Sequence, residues 1–319
     1  MPTHGPITTE PTCPRCGYDQ SGEVATWSEA CPLEGRCPEC GTRFRWSDLY
    51  DPARQDFPWL VEHTRSIRQR ARRTLPTLSR LALPWVFWAR VDVHARTDPR
   101  AVAGWLVMLF VVLHLLCWLP VSLLIAAIDR GVWLTFADLG AMIAALSAIE
   151  VGAGLITGLL WPLAFVSGSG YWMWGSNFYN GAAFLSAWRF PIGMGLTWFV
   201  IMSALPVTRR MAMLRRTHLW RALLFQLTSI VVGFSLLRLL FWVALGTAGN
   251  WAEIAYLVVF VLVCLWTMVW WICALSIGWK IRSWVLMTLG TVASIFGGAA
   301  LVTIEMSVSQ ILWYLGAGR

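Results

Sequence analysis

Five of the eight cysteines fall between residues 13 and 40, in two near-copies of one short pattern. The first reads Cys13-Pro14-Arg15-Cys16-Gly17-Tyr18 and the second Cys37-Pro38-Glu39-Cys40-Gly41-Thr42. Together they give C-x2-C-x20-C-x2-C, the spacing of a four-thiolate metal site. Two cysteines three residues apart on a tight turn can both point at one ion. Pro14 and Pro38 preset the turn. Gly17 and Gly41 follow the second thiolate, where the chain bends sharply and a positive φ is accessible to glycine. Four soft thiolates with no open position make a structural Zn2+ site, not a catalytic one. A pair of disulfides would need an oxidising compartment, and no secretory signal is visible to place the segment in one. Cys31 is the odd cysteine, open to roles as a spare thiol, an alternate ligand or a redox-sensitive neighbour. A segment this short builds little core alone, so the metal supplies most of its folding energy, with Phe44 and Trp46 covering one side.

The rest of the chain must hold this module at a membrane. Hydrophobic residues make up 57% of the 319 and charged residues only 13%, with 22 Trp, which excludes an ordinary soluble enzyme. The net charge of +8 conceals a gradient. Residues 1–62 hold ten acids and five arginines, and residues 63–100 hold nine arginines and two aspartates. All basic residues but Lys280 are arginines.

The paired Cys-Pro-x-Cys-Gly motifs resemble the zinc-ribbon family, in the form found at the N-terminus of many bacterial membrane proteins. The resemblance covers roughly residues 12–46. It implies Zn2+ on Cys13, Cys16, Cys37 and Cys40. Ribbons of that family bind nucleic acid, bind protein partners or cap a domain. The acidic balance of 1–62 disfavours nucleic acid, which needs a basic footprint. A protein partner, or intramolecular docking on the basic segment that follows, fits better.

That segment starts after a proline-bearing linker at 51–59. Arg65, Arg68, Arg70, Arg72 and Arg73 lie in a helix-compatible run that Pro76 interrupts. An apolar stretch with Trp85 and Trp88 follows, too short to span and broken by Pro84. The pattern predicts an interfacial helix, with arginines on lipid headgroups and Trp85 and Trp88 at the acyl boundary.

Beyond it, apolar runs at 101–128, 182–205, 220–245, 254–278 and 284–304 each meet the length of a spanning helix. Region 132–166 is too long for one straight helix. Basic clusters at 63–100, at Arg209, Arg210, Arg215, Arg216 and Arg221, and at Lys280 and Arg282 mark three inside faces. An even number of spans between the first two makes 132–166 a tight pair, giving seven spans; six with a re-entrant piece is the alternative. The expected fold is mainly α: a polytopic bundle of six to seven spans behind a small N-terminal zinc ribbon. Its parts are a ribbon at 1–50, a linker and basic interfacial segment at 51–100, and a membrane domain at 101–319. The placement is the inner (plasma) membrane, with a cytoplasmic N-terminus. Trp118, Trp133, Trp161, Trp172, Trp174, Trp251, Trp279 and Trp284 sit near span ends, as an aromatic belt requires, while Trp266, Trp270 and Trp271 lie deeper, at packing spacing.

Intramembrane charge points to function by default. Glu150 and Arg238 are the pair to weigh, and a transporter or channel would route its pathway through 150–158. No HExxH, GxSxG, Walker or GxGxxG motif occurs, so an enzyme is disfavoured. The leading expectation is a non-enzymatic membrane protein, embedded in the lipid bilayer, whose ribbon recruits or senses a protein partner. Self-association into a homo-oligomer is left open. The layout also looks like bacterial ribbon proteins with a Yip1-like membrane part, which would imply a role in membrane organisation or trafficking.

Overall fold

The computed structural model describes residues 11–28, 30–64, 66–129, 189–204, 213–245, 251–281 and 283–317. The chain is mainly helical, and it divides into two compact units. The first joins Met1–Leu106 to Met194–Ser229 and Trp266–Ser294. The second joins Val107–Gly193, Ile230–Leu265 and Ile295–Arg319.

The first unit opens with a short helix α1, Ser21–Ala25, then a hairpin of β1, Glu34–Arg36, and β2, Arg43–Arg45. Gly35 pairs with Phe44 across it, and a Cβ at Gly35 would lie 2.7 Å from the Phe44 ring and 2.8 Å from Trp46 Nε1. Only glycine lets those rings fold over the strand. Helix α2, Trp46–Tyr50, follows. The Trp46 ring meets Trp27 edge-on at 4.7 Å and Phe44 at 5.0 Å, which closes a small core over Cys13 and Cys37.

Helix α3, Ile67–Leu81, begins at Ser66, whose Oγ accepts the Gln69 amide at 3.3 Å as an N-cap. It runs on through Pro76, where an interruption was expected. A mid-helix proline costs about 3 kcal/mol. The turn around it is anchored on both sides. Thr77 is buried, donates from Oγ1 to the Trp59 carbonyl at 2.8 Å and accepts the Val61 amide at 3.1 Å. Arg80 donates to the Pro76 carbonyl at 2.8 Å and lies over the Trp59 ring. Helix α4, Pro84–Arg90, starts with Pro84 in its first turn, where a missing N–H costs nothing.

Helix α5 is Pro99–Asp129, α6 is Arg189–Ala204, α7 is Arg216–Leu245, α8 is Trp251–Cys273 and α9 is Trp284–Ala317. Helix α8 continues into a π-turn, Ala274–Gly278. A Cβ at Gly278 would stand 2.5 Å from Trp88, so this glycine makes room for the ring. Phe87 lies 5.1 Å from Phe225 and 5.2 Å from Trp270, while Trp88 lies 5.0 Å from Trp270. Two deep indole nitrogens are satisfied within this unit: Trp270 donates to the Ala222 carbonyl at 3.0 Å and Trp271 to Gln226 Oε1 at 2.7 Å. Trp270 and Trp271 are therefore packing residues, as their spacing suggested.

Three helical stretches among the described residues are long and apolar enough to cross a membrane: Arg216–Leu236, Leu257–Gly278 and Trp284–Ile304. They match three of the runs read from the sequence. Exposed Val258, Leu262, Phe296 and Ile304 on the last two give the apolar outer surface that lipid requires. In the second unit, a Cβ at Gly193 would lie 2.9 Å from the Gly297 carbonyl oxygen and the Gly298 Cα, so α6 and α9 approach backbone to backbone. The tight pair expected at 132–166 lies outside the described residues, so the count of six to seven spans does not follow from these helices. Of the boundary tryptophans with a described side chain, Trp284 is 76% exposed, but Trp279 is buried in the aromatic core and is no belt residue.

Candidate metal centre and its docking surface

The two knuckles repeat one hydrogen-bond pattern. Cys13 N–H donates to the Tyr18 carbonyl at 2.8 Å, and Gly17 N–H donates to the Cys13 carbonyl at 3.0 Å. Cys37 N–H donates to Thr42 at 2.9 Å, and Gly41 N–H donates to Cys37 at 2.9 Å. Closing this loop needs a left-handed residue, and Gly17 and Gly41 have φ of +84° and +69°. Each knuckle thus offers two sulfurs to one point.

The four Sγ atoms of Cys13, Cys16, Cys37 and Cys40 lie within 4.8 Å of one another. Cys13–Cys40 and Cys16–Cys37 are each 3.6 Å apart, and all four are free thiols. A tetrahedral zinc with Zn–S of about 2.3 Å implies sulfurs about 3.8 Å apart. The donor set and its dimensions therefore fit such an ion. Cys31 is exposed, with its sulfur 3.3 Å from the Pro32 carbonyl oxygen, and does not belong to the cluster.

The sulfurs differ in setting. Burial pushes the Cys13 and Cys16 thiols up. Burial acts upward on Cys40 too, but hydrogen bonds from the Thr42 side chain and backbone outweigh it and hold the thiol at about 7. Cys40 is the readiest of these three to become a thiolate ligand.

The ribbon is docked within the chain, at the start of α7 and at His94 of the segment that follows it. The Arg215 amide donates to the Arg15 carbonyl at 2.8 Å. His218 Nε2 donates to the Pro14 carbonyl at 2.9 Å. A Cβ at Gly17 would lie 3.1 Å from Arg215 Nε. All three contacts join the first knuckle to the start of α7. The second knuckle's hairpin is held elsewhere, by His94 Nε2 donating to the Arg43 carbonyl at 2.9 Å. Asp92 fixes that imidazole through Nδ1 at 3.0 Å and raises its pKa. Burial pulls the Asp92 carboxyl up in turn, but the bond to His94 outweighs it and holds the carboxyl low.

A buried ion pair completes the attachment. Glu62 and Arg221 are 2% and 1% exposed and lie 2.8 Å apart. Glu62 Oε1 also accepts the Asp98 amide at 2.6 Å, and Arg221 donates to the carbonyls of Ala95, at 3.1 Å, and Arg96. Burial pushes the Glu62 carboxyl up, and the Arg221 guanidinium opposes that shift. His63, beside Glu62, accepts the Phe57 amide on Nδ1 at 2.7 Å and donates from Nε2 to the Arg96 carbonyl at 2.9 Å. This is the neutral imidazole, and burial lowers its pKa.

The residues expected at the lipid surface divide. Arg68, Arg72 and Trp85 are exposed. Arg73 instead donates to the carbonyls of Phe57, Leu60 and His63 at 3.2–3.3 Å, and Arg70 packs at Gly104. Trp88 is 1% exposed, so its indole is in the core and not at a headgroup. Arg65 and Glu150 lie outside the described residues, as does the Arg238 side chain, so the pairing of Glu150 with Arg238 and the 150–158 pathway are not reached.

Sequence reasoning assigned Arg215 and Arg221 to topology and left Glu62 and His218 without a role. The acidic excess of 1–62 against arginine-rich segments was the available signal. It indicates that opposite charges meet, but not which ones. No protein-family model matches the chain, and no curated protein or solved structure matches it either. The Yip1-like likeness thus gains no support from these comparisons.

Proposed function

We propose that this is a non-enzymatic integral membrane protein whose cytoplasmic N-terminal ribbon holds one structural Zn2+ ion and presents a docked, rigid surface to a protein partner. The observation that carries this reading is the closed four-sulfur cluster, with neighbouring sulfurs 3.6 Å apart inside a packed core. Cys13, Cys16, Cys37 and Cys40 would hold the ion, which cross-links the two knuckles. The chain's own groups then fix the module in place: His218 and Arg215 at the first knuckle, His94 at the hairpin. Leu33, 88% exposed near the exposed Cys31, is an apolar group on the ribbon's surface and suits a partner.

Six or seven spans in the inner membrane, with the N-terminus inside, agree with the three apolar helices and with the basic clusters flanking them. Exposed Arg68 and Arg72, with Ile67, Leu75, Leu83 and Trp85 also exposed, suit an interfacial segment.

The test is metal analysis of the full chain purified in detergent. One zinc per chain, lost in a Cys13→Ser, Cys37→Ser double variant, is the expected result. Metal-free protein whose ribbon stays folded in chelator would remove the reading. Span-by-span cysteine accessibility across 129–181 decides between six and seven spans.

A further inference from the structure

The first knuckle carries a feature that a merely structural metal site does not require. Arg215 immediately precedes α7, and its side chain passes over Gly17, with Nε 3.1 Å from where a Cβ would stand. Its Nε and Nη2 are shielded from solvent and have no hydrogen-bond partner among the described residues. Two unpaired guanidinium nitrogens out of water are costly unless a negative charge faces them. No carboxylate forms an ion pair with Arg215 among the described residues. Burial works against its charged form, and the Cys13 and Cys16 sulfurs, once deprotonated, are the groups that favour it.

Four thiolates around a divalent zinc leave a centre of about −2 charge, out of the reach of bulk water on its buried side. A guanidinium is suited to such a site, being permanently charged and weakly hydrated. The backbone agrees with the charge. The Arg215 amide and the His218 ring both donate to carbonyls of the loop between the first two cysteines, at 2.8 and 2.9 Å. A metal ion on both sulfurs would hold that loop in the shape that presents these carbonyls.

We propose that Arg215 is the counter-charge of the metal-loaded ribbon, so that metal occupancy of the four cysteines and the packing of the start of α7 are linked. The proposal rests on the zinc reading above. Loading the ribbon pulls Arg215 and His218 onto the first knuckle and fixes the entry of an apolar helix. Emptying it leaves the guanidinium without its anion, and the contact opens. The ribbon thereby reports metal to the membrane domain through two residues at one helix end.

The experiment uses the full chain in detergent, with three measurements. Zinc content per chain comes first. Zinc transfer to a chromophoric chelator is then timed for the natural protein, Arg215→Gln and Arg215→Lys. Amide hydrogen exchange of 213–222 is followed with zinc and after its removal. The expected result is one zinc per chain, release accelerated about tenfold or more in Arg215→Gln and less in Arg215→Lys, as for lost outer-shell partners of metal ligands. Exchange at 213–222 should rise when zinc is stripped from the natural chain, which needs no variant to fold. If zinc is present, unchanged release in Arg215→Gln, or exchange at 213–222 indifferent to zinc, overturns the linkage and leaves the zinc site standing. A natural chain that binds no zinc overturns the site itself and the linkage with it.

Discussion

The two knuckles of the ribbon have nearly the same sequence and the same internal hydrogen bonds, yet they lean on different parts of the chain. The second sits at the tip of the β1–β2 hairpin, and its nearest support is local. A Cβ at Gly41 would lie 3.6 Å from Arg36 of the preceding strand, and Thr42 steadies Cys40. The first is closed by only a short antiparallel bridge, Thr12 with Asp19, and rests besides on Arg215 and His218, about two hundred residues away. Sequence symmetry therefore hides a division of labour. Both halves close on themselves, but the second is carried on a hairpin that His94 holds, and the first is the face that joins the ribbon to the start of α7.

The largest effects should ignore that division. A single ion needs both halves, so Cys16→Ser and Cys40→Ser should each abolish zinc retention. The lost binding energy is on the order of 10 kcal/mol by analogy with structural zinc peptides. Metal content of the two purified variants checks this, and a large asymmetry between them would mean that the halves do not share one ion.

Next comes the remote support. Glu62→Ala leaves Arg221 buried without its carboxylate, and breaking such a pair costs about 3–5 kcal/mol. Arg221 follows Arg215 and His218 within the first two turns of α7, so the loss should loosen the first knuckle more than the second. Hydrogen exchange at 13–18 against 37–42 reads the difference. Equal exchange in both would show that α7 does not carry the first knuckle.

What the sequence disclosed follows from where the information sits. The clustering of Cys13, Cys16, Cys37 and Cys40 was legible because a metal site imposes a fixed spacing on residues close in the chain. The apolar helices were legible because lipid acts on each segment separately. The partners Glu62, Arg215, His218 and Arg221 were not, since a buried ion pair between residues 62 and 221 leaves no local pattern. Arginines near helix ends looked like topology signals, yet the Arg221 side chain is bound within the chain and Arg215 lies against the first knuckle. Trp88 misled for a related reason. Its neighbours suggested an interfacial stretch, while the ring fills the space that Gly278 leaves open in the distant π-turn.

A finer test separates the two knuckle glycines. Alanine at either position incurs the left-handed penalty of about 1–2 kcal/mol. At Gly17 the new methyl also meets Arg215 Nε at 3.1 Å, whereas at Gly41 the nearest atom is 3.6 Å away. Gly17→Ala should thus destabilise more than Gly41→Ala, and the excess should vanish in an Arg215→Ala background. The ribbon's chelator resistance, measured for each single variant and for Gly17→Ala combined with Arg215→Ala, completes this double-mutant cycle. Additivity would dissociate Gly17 from the docking contact.

The smallest effect concerns pH, where two histidines in different parts of the attachment carry opposite signs. His63 is buried and neutral, with its pKa below the usual 6.5. The unfolded chain then binds the extra proton, so this site's contribution is present above pH 6.5 and lost as pH falls towards its lowered value. His94 is the reverse. Asp92 raises it, so its contribution is complete below 6.5 and lost as pH rises through the raised value. Asp92, held below 3.8, keeps its charge throughout that range. Acid should therefore loosen the linker around Phe57 and Arg96, and mild alkali should loosen the hairpin at Arg43. Exchange measured at about pH 5.5 and about pH 8, on either side of the ordinary histidine range, should show the two segments moving in opposite directions after correction for intrinsic rates. His94→Gln should remove the alkaline response of the hairpin and leave the linker's acid response intact. Loss of both responses together would mean that the two supports open as one piece, and the division between a local and a remote knuckle would have to be given up.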